Sequence, residues 1–126
     1  MPKSSKASAA QRASGPGYEG RFGQLEGYTV AFEEFSEGGD FAPLFHGLPD
    51  DRCQSPHWGV VLKGRLTVTY ADGQDVIEAG EAYYAPAGHT PAAEPGTETV
   101  EFSPAAELQK TMAVVMKNAE ALGAQA

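Results

Sequence analysis

Turn signals cut the chain into short pieces from Tyr28 to Phe102, and this spacing constrains the fold more than any other feature. "YTVAFEEF" (Tyr28–Phe35) is aromatic and β-branched, and "SEGGD" breaks it. "FAPLF" (Phe41–Phe45) is apolar, with Pro43 confining it to a sheet edge or bulge. "HGLPDD" reads as a turn cluster, followed by "HWGVVLKG" and "RLTVTY" as strands. Asp72-Gly73 in "ADGQ" marks a hairpin. "DVIEAG", "EAYYAPAG" and "TETVEF" complete the series. About seven or eight short strands at roughly 8–12-residue spacing predict an all-β sandwich or barrel, not a parallel βαβ sheet.

The period changes after this region. Ser103 is a good N-cap and Pro104 a good first helical residue. Leu108, Met112, Val115, Met116, Ala119 and Leu122 then form one apolar stripe, and Gly123 can end the helix. The stripe predicts a helix over 104–123 that packs on the barrel or on a dimer partner. At the other end, residues 1–17 carry Lys3, Lys6 and Arg12 and no acid, among Ser, Ala, Gly and Pro. Their composition predicts a disordered basic tail preceding a β-domain over 18–103.

A chain of 126 residues fits one domain with a core of its own. The net charge of -8 repels phosphate backbones, which argues against a nucleic-acid partner. No apolar run is long enough to span a bilayer, and the N-terminus lacks the apolar region of a secretory signal. A single cysteine excludes an internal disulfide and leans toward a reducing, cytoplasmic setting.

That cysteine stands in "RCQSPHWGVVLKG", four residues before His57. Thiolate and imidazole are both good ligands for divalent transition metals. Alternate strand residues share a face, so His57, Gly59 and Val61 point one way, and Gly59 leaves space beside His57. Trp58, Val60 and Leu62 point the other way, toward apolar packing or a dimer interface. Taken alone, Cys53-x-x-x-His57 reads as two core residues. A second segment, "GEAYYAPAGHTP" (Gly80–Pro91), ends a strand in a Pro-Ala-Gly turn that carries His89. Tyr83 and Tyr84 alternate, so one of them faces inward. His46, before Gly47, is a further candidate for the pocket.

Together the two segments resemble the two motifs of the cupin superfamily, G-x5-H-x-H-x3or4-E-x6-G and G-x5-P-x-G-x2-H-x3-N. Gly80, Pro86 and Gly88 fit the second motif in register, and Gly64 is the closing glycine of the first. His57 then falls where the family has its glutamate ligand, Cys53 where it has its second histidine, and Asp51 where it has its first. His89 directly follows Gly88, two residues before the motif's own position at Pro91, and Pro95 replaces the asparagine. The chain is thus similar to small single-domain, RmlC-like cupins over roughly residues 28–103.

The resemblance implies a double-stranded β-helix, or jelly-roll barrel, with one C-terminal α-helix. It also implies a divalent metal held by Cys53, His57 and His89, with Asp51 as a fourth ligand, and a pocket near His46, Gly59, Tyr83 and Tyr84. One thiolate and two imidazoles suit zinc first and iron next. A metal-dependent enzyme of isomerase, dioxygenase or lyase type, acting on a small polar organic molecule, is the leading expectation. A non-catalytic ligand- or metal-binding sensor is the alternative, and a homodimer is expected in either case.

Overall fold

The computed structural model describes residues 3–125. Its strands are β1 (Gln11–Gly15), β2 (Tyr18–Leu25), β3 (Tyr28–Phe35), β4 (Gly39–Asp40), β5 (His57–Lys63), β6 (Arg65–Tyr70), β7 (Gly73–Glu78), β8 (Ala82–Ala85), β9 (Thr90–Ala93) and β10 (Thr97–Pro104), followed by α1 (Ala105–Gln125). They form two antiparallel sheets, ordered β1-β2-β3-β10-β5-β8 and β4-β9-β6-β7. This is a jelly roll: after β3 the chain crosses between the sheets at every step except the β6–β7 hairpin, and the inner faces meet in a core of Val61, Leu66, Val68, Ile77, Ala85 and Ala93.

One residue, Gly64, carries the chain from β5 in the first sheet to β6 in the second. Its φ of 79° lies in the left-handed region, and a Cβ there would stand 2.7 Å from the Thr97 Cα. Only glycine satisfies both conditions. The Asp72-Gly73 hairpin joins β6 and β7 in the expected register, with Tyr70 opposite Gly73.

Several elements depart from the sequence reading. Residues 11–15 are not tail: β1 pairs with the edge of β2, with Arg12 opposite Arg21. A five-residue backbone ladder with β2 holds the segment, and exposed ion pairs accompany it. Arg12 Nε is 3.1 Å from Glu19, and Lys6 pairs with Glu34. "FAPLF" is a short 3₁₀ turn over Ala42–Phe45 rather than a strand, since Pro43 withholds a ladder hydrogen bond and Phe45 is buried from the turn. At the last strand, Ser103 and Pro104 still belong to β10, so Ser103 does not cap the helix; its hydroxyl turns inward. The helix also passes Gly123 and ends at Gln125.

α1 lies over the cavity of the barrel. Leu108, Thr111, Met112 and Val115 line that cavity, and Asn118 Nδ2 donates to the Leu44 and His46 carbonyls at 2.7 and 2.8 Å. Met116 and Leu122, on the same apolar stripe, remain exposed.

Candidate metal centre

Cys53, His57 and His89 are all buried, and one donor atom from each lies within 4.8 Å of the other two. Two segments distant in sequence are tied together to achieve this. The Cys53 N–H donates to the His89 carbonyl and the Gly88 N–H to the Cys53 carbonyl, both at 2.7 Å, forming an isolated antiparallel bridge. His57 is the first residue of β5, and the Pro-Ala-Gly turn delivers His89 beside it, with ring centroids 5.0 Å apart.

Both imidazoles are oriented through Nδ1. His89 Nδ1–H donates to the Pro86 carbonyl at 2.7 Å, which fixes the tautomer and leaves Nε2 with its lone pair. His57 Nδ1 lies 2.6 Å from the Ser103 hydroxyl and 3.5 Å from Glu101 Oε2, while its Nε2 faces the Cys53 sulfur at 3.4 Å. Oxygen partners behind each ring are the outer support that metal-ligating histidines use.

Electrostatics favour neutral rings and a protonated thiol unless a cation arrives. Burial pushes both His57 and His89 down to about 4, with His57 adding to the effect on His89. Burial pushes the Cys53 thiol up to about 12. Such a thiol is a poor nucleophile at neutral pH, but a bound metal would displace its proton to solvent. The donor set is of the soft and borderline kind that transition metals accept, and a hard oxygen-seeking cation does not suit it.

The other residues singled out in the sequence lie elsewhere. Asp51 is outside the cluster and exposed; its Oδ1 accepts from the Gly47 N–H at 2.9 Å and lies 3.3 Å from His46 Nδ1. A turn with left-handed Asp50 and Asp51 carries its side chain outward, so the expected fourth ligand is absent from the cluster. His46 is likewise on the surface and outside the cavity lining. Tyr83 faces inward and Tyr84 outward. The space over Gly59 is not open to a ligand, because the Tyr83 ring occupies it: a Cβ there would meet Tyr83 Oη at 2.6 Å.

Glu33, Glu101 and Tyr18 escaped the sequence reading, and Tyr83 is the inward member of its pair. Glu101, Gly59 and Tyr83 sit opposite one another on β10, β5 and β8, and Tyr83 Oη reaches over the glycine to donate to Glu101 Oε1 at 2.7 Å. Tyr18 Oη donates to Glu33 Oε2 at 2.6 Å. Burial pushes both carboxyls up to about 7. The period-two pattern held the clue: Ala31, Glu33 and Phe35 share one face of β3, and Thr99, Glu101 and Ser103 one face of β10. All four side chains, with the three metal-type donors, line a cavity of about 810 Å³.

No family model and no curated protein matches the chain. Solved structures do. A structural-genomics protein of unknown function from Rhizobium leguminosarum aligns over 82% of this chain and 95% of its own length, with TM-score 0.58 and 22% identity. An RmlC-like cupin from Shewanella frigidimarina aligns over 80% and 88%, with TM-score 0.55 and 18% identity. An oxalate decarboxylase variant from Bacillus subtilis aligns over 75% of this chain but 27% of its own length, with TM-score 0.54 and 19% identity. The chain has the cupin jelly-roll fold.

Proposed function

We propose that this cupin-fold chain binds one divalent transition metal through Cys53, His57 and His89 and acts as a metal-dependent enzyme on a small organic molecule held in the adjoining cavity. The observation that carries the reading is the trio itself: three buried soft and borderline donors, both rings oriented by oxygen partners, opening on a cavity of about 810 Å³. Zinc is the leading ion and iron the next. When bound, such an ion polarises a substrate oxygen or acidifies a water. The chain's own residues orient the ligand rings and present Glu33, Glu101, Tyr18 and Tyr83 to whatever enters.

Three donors rather than four favour the enzyme over a closed metal-sensing site, because Asp51 stands outside the cluster. Exposed Tyr28, Trp58, Tyr84 and Phe102 on the outer face of the larger sheet support a homodimer. A free thiol ligand suits a reducing compartment such as the cytoplasm.

Elemental analysis of untagged protein tests the metal. About one zinc or iron per chain is expected, with loss in His57→Ala and in Cys53→Ser. No metal in the parent chain after reconstitution at neutral pH under reducing conditions sinks the reading.

A further inference from the structure

The cavity pairs an apolar body with an acidic end. Phe22, Phe35, Leu44, Leu66, Val68 and Met112 account for much of its wall. Its charged lining groups are Glu33, Glu101, Glu120 and Arg12. Arg12 is on the outer strand β1 and is engaged by Glu19, and Glu120 is on the exposed side of α1. The charges enclosed in the interior are therefore Glu33 and Glu101. A divalent ion with one thiolate contributes a net +1, which the two carboxylates outweigh once both are ionised, as at pH 8.5.

Glu33 has an unused acceptor. Its Oε2 accepts from Tyr18, whereas its Oε1 makes no hydrogen bond, and among the described residues no fully buried side-chain polar atom lacks a partner. Oε1 therefore opens on accessible space, and the space beside it is the cavity. An acceptor held in an apolar enclosure gains most from a ligand that supplies a donor, and an anion there is repelled and desolvated together.

We infer that the cavity selects a largely apolar molecule whose head group donates a hydrogen bond to Glu33, a hydroxyl or a protonated amine, and rejects carboxylates and phosphates. The inference rests on the cavity being the ligand site proposed above, but not on the metal. It replaces the small polar substrate expected from sequence with an apolar one carrying a single donor end, and it separates this site from one built for a small diacid.

Three shape-matched probes test it: 2-naphthalenemethanol, 2-naphthylmethylamine and 2-naphthoate, titrated calorimetrically at pH 8.5 into the full chain, with metal content measured on each sample. The alcohol or the amine is expected to bind at least about tenfold tighter than the naphthoate. Glu33→Gln, which keeps an acceptor for Tyr18, is expected to narrow that ratio while leaving metal content unchanged. Naphthoate binding as tightly as the donors overturns the inference, as does failure of every probe to bind. In either case the metal measurement still reports on Cys53, His57 and His89 separately. The parent-chain ratios decide the matter even if the variant does not fold.

Discussion

The two faces of the larger sheet are made from the same strands yet carry different chemistry. On β5, His57 faces the cavity and Trp58 faces out; on β8, Tyr83 faces in and Tyr84 out; on β10, Glu101 faces in and Phe102 out. The mixture on the inner face is the lesson. That face sets His57, Glu33, Glu101 and the Tyr18 and Tyr83 hydroxyls among Phe22, Phe35 and Val61, while the outer face shows Trp58 stacked on Tyr84 at 5.1 Å and Tyr28 edge-on to Trp58 at 6.2 Å. A sheet built for stability alone keeps acids and histidines off its buried face. Here polar groups are enclosed at a cost, each matched by a partner, which marks the inner face as the working one.

Adjacent residues therefore give the sharpest contrast. His57→Ala is expected to abolish metal binding, whereas Trp58→Ala leaves metal content unchanged, as read by elemental analysis. Equal metal loss in both would mean that the effect comes from the fold and not from the ligand.

Next in size is Gly59→Ala. The new Cβ would lie 2.6 Å from Tyr83 Oη and 2.7 Å from the Val100 carbonyl, so the ring or the sheet must shift. A loss of about 1–3 kcal/mol in denaturant unfolding is expected. A neutral result would show that Tyr83 can leave Glu101 freely.

The inner face also sets a pH response, best seen in metal-free protein. Glu33 and Glu101 rise from 4.5 to about 7 on folding, so their contribution is complete below 4.5 and is lost as pH climbs toward 7. His57 and His89 fall from 6.5 to about 4, so theirs is present above 6.5 and is lost as pH drops toward 4. Between about 4.5 and 6.5 the two pairs oppose each other, and stability is expected to be nearly flat. Glu33→Gln with Glu101→Gln removes one side. Stability should then rise with pH across that window, by up to roughly 1.4 kcal/mol per unit per histidine. A flat profile in the double variant would show that the histidines are not enclosed in solution.

Much of this face was legible in sequence, and the exceptions have physical causes. Strand 28–35 and the Asp72-Gly73 hairpin follow from local propensity and turn chemistry, and the structure reproduces them. Cys53, His57 and His89 stand out because their residue types are rare and chemically specific. Asp51 failed because its placement depends on the left-handed turn at Asp50 and Asp51, which spacing does not reveal. β1 was missed because its order comes from pairing with the free edge of β2, not from its own composition. Glu33 and Glu101 were passed over because a glutamate on a strand ordinarily faces water; only pairing with Tyr18 and Tyr83 makes them interior.

The smallest effect on chain stability is expected on the outer face. Trp58 is 41% exposed and Tyr84 53%, so Trp58→Ser with Tyr84→Ser removes mainly their mutual stacking, worth about 0.5–1.5 kcal/mol. Its effect on assembly should be larger. If two copies bury this face together, the double variant sediments as a monomer at concentrations where the parent is a dimer. Glu33→Gln, on the opposite face, leaves the dimer intact. A parent chain that is monomeric at every concentration would remove the partner from the outer face. The aromatic cluster would then be explained by stacking within one chain, and the contrast between the two faces would rest on the cavity alone.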